Sequence, residues 1–107
     1  MSLVKLICDS GATKAEWCLI NKGKRKTIFT QGISPYFLSK EQIKDLLQKE
    51  LRAKLKNIKV DEIFYYGTGC ANPENAKMIK KAITTNELTH QFTNYPSNNI
   101  ALYKSSR

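Results

Sequence analysis

Histidine and tryptophan occur once each and cysteine three times in these 107 residues. Cys8, Cys18 and Cys70 are widely spaced, with no C-x-x-C pair and no second histidine to complete a set of metal ligands. An odd number of cysteines, two of them inside apolar runs, reads as small buried hydrophobes in a reducing cytoplasm. Cys8 and Cys18 are expected to be neighbours across a hairpin. No apolar run approaches membrane-spanning length, and no signal peptide precedes the first apolar run, so a cytoplasmic protein without a membrane partner is expected. No repeat of solenoid length is present. Acidic residues are scarce, nine against 18 Lys and Arg, which leaves a formal charge of +9.

That charge raises nucleic acid as a partner. The basic residues are nevertheless dispersed. Lys22, Lys24, Arg25 and Lys26 fall at a turn, while Lys44, Lys49, Arg52, Lys54, Lys56 and Lys59 lie on or after a helix. No nucleic-acid reader motif accompanies them, so they read as a solvated surface and nucleic acid is disfavoured. With 41% hydrophobic and 25% charged residues, the chain has the composition of one small globular domain with a single core.

The core begins with Leu3-Val4-Lys5-Leu6-Ile7-Cys8, an apolar run that predicts a buried strand. It stops at Asp9-Ser10-Gly11, good turn chemistry in its own right. The run from Glu16 to Ile20 follows as the second arm of a hairpin, and Lys26-Thr27-Ile28-Phe29-Thr30-Gln31 alternates as a third, antiparallel strand would. Ser39 and Gln42 form a capping-box pattern, with Glu41 suited to the helix dipole. Ile43, Leu46, Leu47, Leu51 and Leu55 then fall on one face of a helix over 40–55.

Lys59 to Tyr66 reads as the next strand, ending in Gly67-Thr68-Gly69. The strand-helix-strand order predicts that it pairs parallel to the first. Asn72 and Pro73 fit the N-cap and first position of a helix reaching Ile83. From Thr84 the texture turns polar and aperiodic, apart from a candidate strand over Asn98–Tyr103. The organisation expected is a lobe over 1–83 and a divergent polar tail over 84–107. Within the tail His90 has no evident partner and reads as a loosely packed side chain. Trp17 and the Tyr65-Tyr66 pair read as core residues, not a stacking platform.

The bend Asp9-Ser10-Gly11-Ala12-Thr13-Lys14 concentrates a carboxylate, two hydroxyls, an ammonium and backbone N–H groups, a set suited to a phosphate and its divalent cation. With Trp17 following, it resembles the first phosphate motif of the sugar kinase, actin and heat-shock ATPase superfamily. Gly32-Ile33-Ser34-Pro35-Tyr36-Phe37 and Phe64-Tyr65-Tyr66-Gly67-Thr68-Gly69-Cys70 agree, in order, with its N-acetylglucosamine-kinase-like branch, the BadF/BadG-type ATPases. The resemblance runs to about Ile83.

It implies an α/β, ribonuclease-H-like (actin-like ATPase) N-terminal lobe, incomplete, with a mixed sheet of three antiparallel strands and one parallel strand and flanking helices. It also implies a cytoplasmic ATP-dependent sugar kinase acting on N-acetylglucosamine or a relative. By the resemblance, Asp9 stands near Mg2+, directly or through water. Ser10, Gly11, Ala12, Thr13 and Lys14 line the phosphates of ATP, Gly67, Thr68 and Gly69 border the cleft, and Ser34 and Asn72 reach sugar hydroxyls. For Gly67-Thr68-Gly69 the alternative of a connection chosen for backbone freedom stays open. The catalytic residue is unknown: the family's acidic residue belongs after a further core strand, and no Asp follows Asp61. The length also excludes the family's second lobe, so a fragment inactive by itself is expected. The rival readings are a basic nucleic-acid-binding module and a non-catalytic interaction domain. Sugar specificity and oligomeric state are left open, a homodimer included.

Overall fold

The computed structural model describes residues 4–56, 58–67, 69–84 and 91–96. Strands β1 (Lys5–Ser10), β2 (Lys14–Asn21) and β3 (Lys24–Gln31) form an antiparallel meander. Helix α1 follows over 40–55, then strand β4 (Glu62–Gly67), helix α2 (Pro73–Thr84) and strand β5 (Gln91–Pro96). The strand order is β3-β2-β1-β4-β5, with β4 parallel to β1 and β5 parallel to β4. β1 is therefore clamped on both sides, and the expected crossover to β4 is present.

Strand parity divides the sheet into two faces. Leu6, Cys8 and Ser10 of β1 align with Leu19, Trp17 and Ala15 of β2 and with Ile63, Tyr65 and Gly67 of β4. This face meets the helices. Ile43, Leu47, Leu51 and Leu55 of α1 and Ile79, Ala82 and Ile83 of α2 close over it in one core. Asp9, Glu16, Phe29 and Tyr66 occupy the opposite face, as their register requires.

Both helix starts form as their sequences dictate. Ser39 Oγ accepts the Gln42 N–H at 3.2 Å while Gln42 Oε1 accepts the Ser39 N–H at 2.8 Å, the reciprocal capping box. Asn72 Oδ1 accepts the N–H groups of Glu74 and Asn75 ahead of α2. Inside α1 the segment Leu47–Arg52 widens into a π-helix before the last α turn, Ala53–Leu55. This stretch is tied to β3. Glu50 receives the Gln31 backbone N–H and side-chain amide at 2.9 and 2.7 Å, and Lys54 Nζ donates to the Phe29 carbonyl at 3.0 Å.

Two features depart from the sequence reading. Gln91–Pro96 is a second parallel strand inside the stretch read as aperiodic. The candidate strand over 98–103 and His90 lie outside the described residues. Cys8 and Cys18 are not cross-strand partners: Cys8 stands opposite Trp17 and Cys18 opposite Ile7, so parity places the two thiols on different faces. Trp17 and Tyr65 are core residues, as expected; their rings tilt at 49° with centroids 6.2 Å apart, and Trp17 Nε1 donates to Thr30 Oγ1 at 3.0 Å. Among the described residues no helix is long and apolar enough to cross a membrane.

Candidate functional site at the ends of β1 and β4

Ser10 and Gly67 are register partners, so the bend after β1 and the loop after β4 leave the sheet side by side at one edge. Ligands of open α/β sheets gather at such carboxyl ends. The segment from Gly32 to Tyr36 joins them. A Cβ on Gly32 would lie 2.4 Å from the Gly11 carbonyl oxygen and 2.5 Å from the Ala12 carbonyl carbon, so only glycine lets the end of β3 press against the bend. Gly69, at φ +84°, packs a backbone with no side chain against Pro35 and Tyr36, where a Cβ would meet Pro35 Cγ at 2.8 Å.

Ser10 shows how the edge is held. Its side chain is fully buried, its Oγ accepts the Ile33 N–H at 2.9 Å and approaches the Gly11 and Ile33 carbonyls at 3.1 and 3.4 Å. The Tyr65 hydroxyl also donates to the Ile33 carbonyl, at 3.4 Å. Ser10 thus pins the bend to the following loop, and its hydroxyl is turned inward, on the face of the sheet opposite Asp9.

The other bend residues are open. Ala12, Thr13 and Lys14 are exposed, and the Gly11 N–H closes the turn on the Lys14 carbonyl at 2.9 Å. Asp9, Gly11, Lys14, Glu16 and Phe29 line a shallow hollow of about 340 Å³ on the helix-free face. There Lys14 Nζ stands 4.4 Å from the centroid of the Phe29 ring, a cation–π contact that holds an ammonium near two carboxylates.

The expected residues are therefore brought together only in part. Asp9, Gly11 and Lys14 share this hollow, and Gly67 lies one strand away. Ser34 is only 1% exposed and its Oγ accepts the Tyr36 N–H at 3.3 Å, which places it inside a turn. Asn72 is exposed, but its Oδ1 is committed to capping α2. Thr68 lies outside the described residues.

Other site residues were not singled out from the sequence. Glu16 follows from parity as the i+2 neighbour of Lys14, and Phe29 as the residue paired with Glu16 across the ladder. Tyr36 and Phe37, 64% and 76% exposed, crown the loop beside Gly69. Burial pushes the Cys8 thiol and the Tyr65 hydroxyl well up. It raises Cys70 to about 11, partly offset by a backbone hydrogen bond with Gly67. These three groups are neutral packing at the root of the loops.

Comparison with solved structures bears on this arrangement. The chain is similar to the "Putative N-acetylglucosamine Kinase" of Porphyromonas gingivalis, with a TM-score of 0.76 and 27% identity over 86% of its length. The fold is that of the N-terminal lobe of an actin-like ATPase. This kinase-like lobe spans 34% of the Porphyromonas chain. No protein-family model and no curated protein matches it.

A magnesium–nucleotide pair fits what the lobe offers. Magnesium is held in proteins by one or two carboxylates together with phosphate oxygens and water, and Asp9 presents one carboxylate at the lip of an open hollow. Lys14 lines the same hollow and would offer a countercharge. Among the described residues no group of three or more acidic, cysteine or histidine side chains gathers to hold an ion without a ligand's help.

Proposed function

We propose that residues 1–107 form the phosphate-facing lobe of an ATP-dependent sugar kinase acting on N-acetylglucosamine or a related sugar. The observation that carries this reading is the flush pairing of Ser10 with Gly67, which sets the acidic bend beside the Gly-Thr-Gly loop at one sheet edge. The likeness to the Porphyromonas protein supports it. Asp9 would hold Mg2+ directly or through water, and bound Mg2+ would supply neutralisation of charge on the transferred phosphoryl group. Gly11, Ala12 and Thr13 would present backbone and hydroxyl donors to the phosphates, with Lys14 held ready by Phe29. Gly67, Thr68 and Gly69 would border the cleft, and Asn72 would offer its Nδ2 amide to a sugar hydroxyl. Ser10 and Ser34 act in this reading through the backbone they position.

The lobe by itself would not turn over. Phosphoryl transfer needs reactants held between two walls and a base to take the hydroxyl proton. β5 ends level with Gly67, where the family's acid would follow, and the sequence there is Asn94-Tyr95-Pro96-Ser97-Asn98. Titration calorimetry tests the binding half: Mg2+-dependent ATP binding is expected, abolished by Asp9→Asn. Absence of binding, or equal affinity in the variant, refutes the assignment. A coupled assay with ATP and N-acetylglucosamine should show no turnover by this chain, and turnover would overturn the claim of inactivity.

A further inference from the structure

A second hollow, of about 500 Å³, lies in the helix layer between the start of α1 and the outer side of α2. Lys40, Lys77, Met78, Lys80, Lys81 and Thr84 line it. It is remote from the hollow beside Asp9, which opens on the other face of the sheet, and the kinase reading uses none of its residues.

Four ammonium groups surround it and, among the described residues, no carboxylate lines it. Helix stability accounts for only part of this. Lys80 and Lys81 approach the C-terminal end of α2, where the macrodipole favours cations. Lys77 is a turn earlier. Lys40 is the first residue of α1, where a cation is disfavoured. Two other lysines of the helix layer have local partners, Lys54 in the Phe29 carbonyl and Lys49 in Asp45. Among the described residues, Lys40, Lys77 and Lys80 make no such contact.

The floor is apolar. Met78 is half-buried against the core, and Thr84 turns its hydroxyl back to the Lys80 and Lys81 carbonyls at 2.8 and 3.4 Å. Methionine at such a place adapts to varied apolar partners. Among the described residues no aromatic ring lines the groove, so bases would find nothing there to stack on. Among the described residues no arginine lines it either, so they offer no planar fork to grip a phosphate in two places. Lysines spread along two helices offer separate point charges, which suits several carboxylates spaced along a segment.

We propose that the groove between α1 and α2 docks an acidic peptide segment of a partner protein, its carboxylates on the lysine rim and one aliphatic side chain over Met78. An amphipathic helix laid into a groove is a recurring mode of this kind. The probe is a synthetic peptide of about 12 residues, three helical turns, with glutamates on its flanks and leucines along one stripe. Binding to the full chain is followed by fluorescence anisotropy and by amide chemical shifts.

Shifts are expected at Lys40 and along 77–84. The double variant Lys77→Glu/Lys80→Glu, and a peptide with glutamine for glutamate, should each weaken binding about tenfold or more. Met78→Ala should weaken it with the charges intact. All substituted positions are at least partly exposed, and circular dichroism confirms the fold of each variant. Absence of binding overturns the proposal, as do equal binding by the glutamine peptide and shifts confined to other surfaces. Tighter binding of a single-stranded oligothymidine to the same groove overturns it in favour of nucleic acid.

Discussion

Replacing Gly32 by alanine is the sharpest test of how the loop edge is built. The new methyl would stand 2.4 Å from the Gly11 carbonyl oxygen and within 2.6 Å of the Ala12 carbonyl group. All of these are backbone atoms, so no side chain can rotate away, and either the bend or the end of β3 must move. Overpacking of this kind costs about 1–3 kcal/mol, and a backbone clash on a buried residue belongs at the upper end. For a domain of this size that corresponds to a fall in Tm of roughly 10–20 °C.

Two other glycines calibrate the result. Gly11→Ala meets nothing closer than the Lys14 carbonyl oxygen at 3.6 Å and should be near neutral. Gly23→Ala has open space around it but sits at φ +78°, a conformation that costs alanine about 1 kcal/mol. Thermal and urea unfolding of the three variants should therefore rank them Gly11, Gly23, Gly32 in order of increasing damage. A Gly32→Ala protein within about 0.5 kcal/mol of the parent, the ordinary range for surface substitutions, would refute the close approach of β3 to the bend.

Ser10→Ala should lower stability by about 1–3 kcal/mol in urea titration, because it strips the acceptor from the buried Ile33 N–H; an unchanged midpoint would remove the pin assigned to this hydroxyl. Lys56 ends α1 at φ +56°, so Lys56→Gly should raise stability by about 1 kcal/mol, and a loss on thermal unfolding would contradict the strain. The Cys70 thiol, raised by burial from 9.0 to about 11 in the fold, makes stability depend on alkaline pH. The unfolded chain loses this proton first, so the contribution is complete below pH 9 and is lost as pH climbs towards 11. Tm should fall across that window and fall less in Cys70→Ala; identical slopes would exclude the thiol as the cause.

Much of the fold was legible because local signals agreed with tertiary packing. The Ser39–Gln42 box and the stripe from Ile43 to Leu55 marked α1, and β1–β3 showed their runs and turns. The strand Gln91–Pro96 was hidden because Gln-Phe-Thr-Asn-Tyr-Pro carries no alternation; its place comes from parallel pairing along β4, a long-range fact. The π turn in α1 was equally invisible, since Glu50 and Lys54 reach β3 residues far away in sequence.

At the site, residue types identified the bend but not the direction of each side chain. Counting in twos from Leu6 and Cys8 would have turned Ser10 inward and Asp9 outward, and would have separated Cys8 from Cys18. Ser34 escaped even that count, since it lies in a loop without period and its burial depends on the turn it closes with Tyr36.

The Lys22–Gly23 hairpin lies at the far end of β2 from the Asp9 bend, where β1 and β4 begin and Asp61 receives the Val4 N–H. Both of its central residues hold positive φ and both are exposed. A fluorophore, affinity tag or short insertion placed between them would project from the opposite pole of the sheet. That makes this hairpin the natural handle for immobilising or labelling the lobe while the edge that carries Asp9 and Gly67 stays unobstructed.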